Sequence, residues 1–291
     1  MLKGMEQKLY GGIELGGTKT ICAIADAKGV ISAQITFPTA SVDKTLTEIF
    51  KFFEHNPRVV SLGVGSFGPV QLNPASAGYG SIYNSPKPGW SNVKVKDLLE
   101  QRLKLTVSID TDVNCAAIYE LHYGAAKNVS SFIYLTLGTG VGGSLVYEGN
   151  IVRGILNLEM GHMRIPHEAF ADTFEGACIF HGDCLEGIAS GYAITQRYGK
   201  KPEEITDTEI WNIEARYVAS ALNNLMMTIG PELIVIGGGL TNHTGLMASI
   251  RTEVRRNVNN YLKFPDLKDY IIQSSGNNNG VIGAIKLASL K

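Results

Sequence analysis

Residues 159–191 hold the densest set of side chains able to bind a metal and recognise a polar ligand. Glu159-Met160-Gly161-His162 is followed by a polar loop. Then comes Cys178-Ile179-Phe180-His181-Gly182-Asp183-Cys184-Leu185-Glu186-Gly187. Two residues separate Cys178 from His181, and two separate His181 from Cys184. That spacing lets one tight loop aim two thiolates and an imidazole at a single point. A tetrahedral zinc site needs four ligands; His162 is the natural fourth, with His167 as its rival. The chain has 4 Cys and 6 His. Two of those Cys and three of those His fall between His162 and Cys184, so overall composition does not produce the cluster. Glu159 and Glu186 bracket it, and carboxylates beside a metal loop suit recognition of hydroxyl groups.

A second kind of chemistry is carried by glycine loops between strands. Glu14-Leu15-Gly16-Gly17-Thr18-Lys19 joins two apolar runs, and Gly138-Thr139-Gly140-Val141-Gly142-Gly143 joins two more. The latter matches G-x-G-x-x-G, but a dinucleotide fingerprint must open a helix. Here Ser144-Leu145-Val146-Tyr147 reads as strand, and Glu148-Gly149-Asn150 as a hairpin turn. The P-loop order is absent as well. What remains is a pair of loops whose backbone N–H groups can turn toward phosphate, each with a Thr hydroxyl as a further donor. Gly237-Gly238-Gly239 after a buried strand supplies a third side, and the three together point to a nucleotide cleft.

The third element is an acid. Ile109-Asp110-Thr111-Asp112-Val113-Asn114 lies where a strand becomes a helix, a position at which α/β enzymes place chemistry. Period-two alternation puts Asp110 and Asp112 on one side. Transfer of a phosphoryl group to a hydroxyl needs one carboxylate to accept the proton, and spacing alone does not choose between the two.

The elements that must position these groups alternate strand and helix, which gives α/β architecture. Strands are expected at 9–13, 20–25, 30–37, 59–65, 106–110, 132–137, 144–147 and 233–236. Helices are expected at 41–56, 93–103, 113–123, 207–229, 244–262 and 281–290. The first helix should turn Leu46, Ile49, Phe50 and Phe53 to the core, with Ser41 as N-cap, and Thr206-x-x-Glu209 should cap the long helix. Residues 70–91, rich in Gly, Pro, Ser and Asn, form a loop of the length that is functional or disordered. Strand, glycine loop, strand and turn occur twice, as expected of two related halves.

Composition narrows the setting. Hydrophobic content of 44%, charged content of 18% and a net charge of -1 describe a soluble globular chain without a nucleic-acid or membrane surface. Met1 to Lys8 lacks an apolar signal core, and no apolar run is long enough to span a bilayer. Cys22 and Cys115 sit in apolar surroundings, so the expected compartment is the reducing cytoplasm.

Together these residues resemble the ROK family (repressor, open reading frame, kinase) over nearly the whole chain. Gly12 to Lys19 resembles its first phosphate motif, with Glu14 in place of the commoner Asp, and Leu137 to Gly143 resembles the second. Thr111-Asp112-Val113-Asn114 is similar to the catalytic Asn-Asp-x-Asn, and Glu159-x-Gly-His162 with Cys184-Leu185-Glu186 to the sugar and zinc motif. The Glu at 14, the Thr at 111 and Cys178-x-x-His181-x-x-Cys184, in place of Cys-x-Cys-Gly-x-x-Gly-Cys, are similar to the fructokinase branch.

The resemblance implies a two-lobed, actin-like (ribonuclease H-like) ATPase fold, with lobes at 1–113 and 114–291 and a closing helix that packs back on the first. It implies an ATP- and magnesium-dependent hexose kinase of the fructokinase type, usually a homodimer. Glucose, mannose or N-acetylmannosamine are alternative substrates. In that reading Asp112 is the base. Gly17, Thr18, Lys19, Thr139 and Gly140 hold phosphates, and Gly237, Gly238 and Gly239 line the nucleoside side, with Gly191 and residues 276–280 also bordering the nucleotide. Glu14 reaches magnesium through water. Glu159, His162 and Glu186 hold the sugar, and His162, Cys178, His181 and Cys184 hold a structural zinc. The rival readings are a sugar-responsive repressor and a sugar-binding protein without turnover. No helix-turn-helix is expected ahead of the first phosphate motif, and Asp112 argues for turnover.

Overall fold

The computed structural model describes residues 8–167 and 172–290. Most of the polar opening segment therefore lies outside the described residues. In chain order the strands and helices are β1 (Leu9–Leu15), β2 (Lys19–Ala25), β3 (Ile31–Pro38), α1 (Val42–Glu54), β4 (Val59–Ser66), α2 (Val95–Leu103), β5 (Thr106–Thr111) and α3 (Asp112–His122). There follow β6 (Phe132–Leu137), β7 (Val141–Tyr147), β8 (Asn150–Ile151), α4 (Leu185–Ala189), α5 (Gly191–Tyr198) and α6 (Thr208–Ile229). The last are β9 (Leu233–Gly237), α7 (Leu246–Val258), α8 (Leu267–Tyr270), β10 (Ile271–Gln273) and α9 (Asn279–Ser289).

These elements form two compact units, one of residues 1–123, 153–157 and 276–291, the other of 124–152 and 158–275. The first carries a sheet of order β3-β2-β1-β4-β5, the second one of order β10-β9-β6-β7-β8. Read from β8, the second order is the first repeated: two antiparallel edge strands, the founding strand, then two parallel strands. The weak internal likeness in the sequence is thus a repeat of topology, in an α/β fold of the actin-like kind.

In the first unit α1 turns Leu46, Ile49 and Phe53 onto the sheet, with Phe50 at the margin. The segment 70–91 is anchored: Ile82 and Trp90 are fully buried, and the Trp90 indole N–H donates to the Ala40 carbonyl at 3.0 Å. Two large apolar side chains, each worth roughly 1.5–3 kcal/mol when buried, hold down a stretch whose composition reads as loose.

On the other face α9 approaches so closely that a Cβ on Gly63 would lie 1.8 Å from the Ala284 carbonyl oxygen, and one on Gly283 1.7 Å from that of Cys115. Hence α9 lies on β1, β4 and α3. A boundary at 113/114 would cut through α3, whereas the unit keeps that helix whole, because its Cys115 side is packed against α9.

In the second unit Ile133, Leu135, Ile234 and Ile236 pack with Leu222, Ile250 and Val254. Several expected boundaries move. β7 begins at Val141, so Gly142 and Gly143 belong to the strand and pair with Thr136 and Leu135. The cap of α6 is Asp207, which accepts from the Glu209 N–H at 2.9 Å in place of the expected Thr206 box. α7 spans 246–258 and α9 begins at Asn279.

Gly63→Ala should cost about 1–3 kcal/mol, the usual penalty for forcing a side chain into a filled space. A lowered urea midpoint with an unchanged m-value is the expected result; an unshifted midpoint would mean that α9 can move off β4.

Candidate functional site

Each unit has a glycine turn between its first two strands. In the first unit Gly16 N–H donates to the Lys19 carbonyl at 3.0 Å, which closes the turn and leaves Gly17, Thr18 and Lys19 exposed. Lys87 Nζ donates to the Gly17 carbonyl at 2.8 Å. Glu14 sits on β1 beneath this turn, and one carboxylate oxygen accepts from the Val281 N–H at 3.1 Å, within the first turn of α9. Burial raises the Glu14 pKa, against the lowering pull of Lys19 and of that hydrogen bond. Gly280 leaves room for this carboxylate, since a Cβ there would stand 2.6 Å from it.

β5 carries Asp110 and ends at Thr111; α3 begins at Asp112. Strand alternation therefore stops before Asp112, and the two acids have different surroundings. Asp110 is fully buried. Its Oδ1 accepts from the Thr111 N–H at 2.9 Å and from Asn114 Nδ2 at 2.6 Å, while its Oδ2 pairs with the Arg153 guanidinium. Thr111 Oγ1 caps α3 by accepting from the Asn114 N–H at 3.1 Å, so Thr111 has a local task. Asp112 is half-buried at the first position of α3, and its Oδ1 accepts from the Val113 N–H at 2.9 Å.

In the second unit the turn is Gly138-Thr139-Gly140, closed by Gly138 N–H to the Gly140 carbonyl at 2.9 Å. Thr139 is exposed. The start of α5 docks on this turn: Gly191 N–H reaches the Gly138 carbonyl at 2.8 Å, and Tyr192 N–H that of Thr139 at 3.1 Å. Gly238, after β9, has φ +91° and stands over Leu137, where a Cβ would lie 2.3 Å from the carbonyl oxygen; only glycine fits both demands. Gly138, Gly140, Gly191, Gly237, Gly238 and Gly239 are thus gathered around the end of β6.

The same turn touches the acid cluster. Glu186, on α4, accepts from the Val141 N–H at 3.0 Å, and a Cβ on Gly140 would stand 2.5 Å from that same carboxylate oxygen. His162 Nε2 lies 4.0 Å from the other Glu186 oxygen. The Glu159 side chain is accessible, yet desolvation of its carboxyl and, second, the charge of Glu186 raise its pKa.

His162, Cys178, His181 and Cys184 bring their ligand atoms within 4.8 Å of one another. His162 Nδ1 is 3.5 Å from Cys184 Sγ and 3.7 Å from Cys178 Sγ; His181 Nδ1 is 3.6 Å from Cys178 Sγ. A tetrahedron with Zn–S near 2.3 Å and Zn–N near 2.05 Å has S···N edges of ~3.6 Å, so the donor set fits zinc. His167, the rival ligand, is elsewhere: it pairs with Asp172 at 3.4 Å and Asp183 at 3.7 Å. Cys22 and Cys115 are buried thiols whose pKa burial pushes up.

The ROK family model matches residues 10–291. The chain belongs to the ROK family. It is 40% identical to the fructokinase of Lactococcus lactis subsp. cremoris over 275 residues, which cover 93% of each chain. It is 38% identical to the fructokinase of Pediococcus pentosaceus, over 96% of this chain and 97% of that one. Among solved structures it is similar to the ROK hexokinase of Thermus thermophilus, with a TM-score of 0.78 and 25% identity over 97% of this chain and 98% of that one.

Within this family frame, the structure gathers the expected metal ligands with Glu186 in one unit, and Glu14, Asp110, Asp112 and the Gly16–Lys19 turn in the other. Sequence reasoning missed Arg153. A single basic residue past a hairpin turn carries no motif, and its partner Asp110 lies 43 positions away.

Because Glu186 contributes to the raised pKa of Glu159, Glu186→Gln should move the Glu159 titration down toward its ordinary value. Carbon-13 NMR of the labelled carboxyl reads this directly. An unmoved midpoint would assign the whole shift to desolvation.

Proposed function

We propose that this chain is an ATP-dependent hexose kinase whose substrate is fructose and whose product is fructose 6-phosphate. Phosphoryl transfer leaves the protein little covalent work; positioning and charge neutralisation carry most of the catalysis. The observation that carries the reading is the difference in exposure between the two acids. Asp110 is fully buried against Arg153, Asn114 and the Thr111 N–H, whereas Asp112 is partly open to solvent at the start of α3. Asp112 is accordingly the base that takes the hydroxyl proton.

The other roles follow from the residues' chemistry and the family likeness. Gly17, Thr18, Lys19, Thr139 and Gly140 hold phosphates through backbone N–H groups, two hydroxyls and one ammonium. Gly237, Gly238 and Gly239 border the nucleoside, with Gly191 and residues 276–280. Magnesium bound with ATP would neutralise phosphate charge, and Glu14 is the residue that would face it. Glu159, His162 and Glu186 hold sugar hydroxyls.

His162, Cys178, His181 and Cys184 would hold zinc, which would supply rigidity to this loop. With Nδ1 of His162 toward the two thiols, Nε2 remains to donate a hydrogen bond on the Glu186 side. Fructose as the substrate rests on the fructokinases of similar sequence. The same reading places the chain in the cytoplasm as a homodimer. Among the described residues no helix is long and apolar enough to cross a membrane, and all four cysteines are free.

A coupled assay across fructose, glucose, mannose and N-acetylmannosamine should rank fructose first by kcat/KM. Asp112→Asn should lower kcat roughly 10²-fold or more, the usual worth of a general base, while sugar and ATP binding persist. Another hexose in first place would replace the substrate; a fully active Asp112→Asn would remove the base.

Elemental analysis should find about one zinc per chain. Dialysis against a strong chelator should then raise the KM for sugar and lower kcat, since a misplaced hydroxyl reacts slowly. ATP affinity by calorimetry should hold, and magnesium should not restore activity, because it prefers oxygen ligands. Loss of zinc with an unchanged sugar KM would separate the metal from the sugar pocket.

A further inference from the structure

Arg153 lies just past β8, yet residues 153–157 belong to the first unit. There they line a cavity of about 280 Å³ with Val70 to Pro74 and Tyr83. Asn157 Nδ2 donates to the Val70 carbonyl at 3.1 Å, and Arg153 pairs with Asp110. The segment is therefore tied down at both ends, once by an amide and once by an ion pair. Asp110 is 0% exposed while Arg153 is a side chain open to solvent along part of its length. A carboxylate so placed needs a donor for each oxygen and a counter-charge. The Thr111 N–H and Asn114 serve one oxygen, and the Arg153 guanidinium pairs with the other.

We propose that Arg153 is a positioning residue for phosphoryl transfer: by pairing with Asp110 it cancels the charge beside Asp112 and holds the strand-to-helix turn that carries it. The proposal rests on the reading of Asp112 as the base. Two further observations support it. Asn114, which Asp110 holds, is also the residue whose N–H donates to the Thr111 cap, so the pair sits under the first turn of α3. Cys115, one turn along the same helix, has its thiol raised first by burial, then by Asp110, Asp112 and Glu14, and lowered by Arg153. Those four charges thus converge on one turn, from β5, from α3 itself, from β1 and from the 153–157 segment. Lys19 adds a positive charge next to Glu14, and on β4 a Cβ at Gly65 would lie 3.4 Å from the Asp112 Cα. Glu14, Lys19 and Cys115 are unchanged by substitutions at 110 and 153, so differences among such variants report the Arg153–Asp110 pair.

The test compares Arg153→Gln, Asp110→Asn and the double variant with wild type. In Arg153→Gln the Asp110 charge is left uncancelled two residues from Asp112. The acid limb of the kcat/KM profile should then move to higher pH by roughly one unit, a ~10-fold loss below the limb. In Asp110→Asn the guanidinium loses its partner, and the limb should move to lower pH, with a loss of kcat far smaller than in Asp112→Asn. The double variant should return close to wild type, because both charges have gone. A residue that served folding alone would change the melting temperature without this pattern of opposite signs.

Carbon-13 NMR titration of Asp112 in aspartate-labelled protein reads the same shifts without turnover. A wild type that phosphorylates no hexose would therefore overturn the function while leaving this electrostatic claim testable. If Arg153→Gln does not fold, Asp110→Asn and the double variant still give the sign and the cancellation. Shifts of the same direction in both single variants, or no shift in either, would overturn the proposal.

Discussion

A carboxylate in a partly dry place must find donors or give up its charge, and four acids of this chain solve the problem in the same way. Glu14 accepts from the Val281 N–H, Asp110 from that of Thr111, Asp112 from that of Val113, and Glu186 from that of Val141. Three of those N–H groups lie in the opening residues of α9, α3 and β7, and that of Thr111 lies where β5 passes into α3, places where a helix or ladder leaves a donor without its regular partner. Such bonds hold an acid at a defined place relative to the backbone, and they hold the element's first residue in return. The glycines beside them follow: Gly280 and Gly140 lack a Cβ because the carboxylates of Glu14 and Glu186 occupy that space.

The same economy ties the zinc loop to the turn after β6. Glu186 follows Cys184 by two residues and reaches the Val141 N–H, so the cluster of thiols and imidazoles and the Gly138–Gly140 turn share one strut. Met163 reinforces it, its carbonyl accepting from the Leu185 N–H at 3.0 Å. Displacement of the loop would be felt at the turn, and the reverse, without any long-range device.

The two sheets repeat one topology but spend it differently. In the first unit the parallel strand β5 ends at an acid pair, and α3 and α9 press against the sheet at backbone distance. In the second unit the corresponding strand β10 is three residues long, and the chemistry lies instead on the segment between β8 and α5. A duplicated frame with separate specialisation of its strand ends explains why the sequence halves look alike only in outline.

Much of this was determined locally, and the sequence shows it. Four ligands spaced around a tight loop, glycines between two strands, a strand of apolar residues ending in acids: each is a matter of a few neighbouring residues, so type and spacing suffice. The α/β alternation and most strand cores were readable for the same reason. Where an element began was less so. Gly142 and Gly143 look like loop but pair in β7, and Met160 packs where a Gly143 side chain would be. Residues 70–91 look loose but are held by Trp90 and Ile82. Asp110 and Asp112 look equivalent until Arg153 arrives from 43 positions away to occupy one of them. His162 is the natural fourth ligand by sequence and His167 its rival, and the pairing of His167 with Asp172 and Asp183 takes it out of the cluster. In these cases the deciding contacts reach beyond the local pattern, to Ala40 from Trp90, to Arg153 from Asp110 and to Asp183 from His167. Short-range pattern encodes which residues can act, whereas long-range packing and charge decide which of them are left to do so.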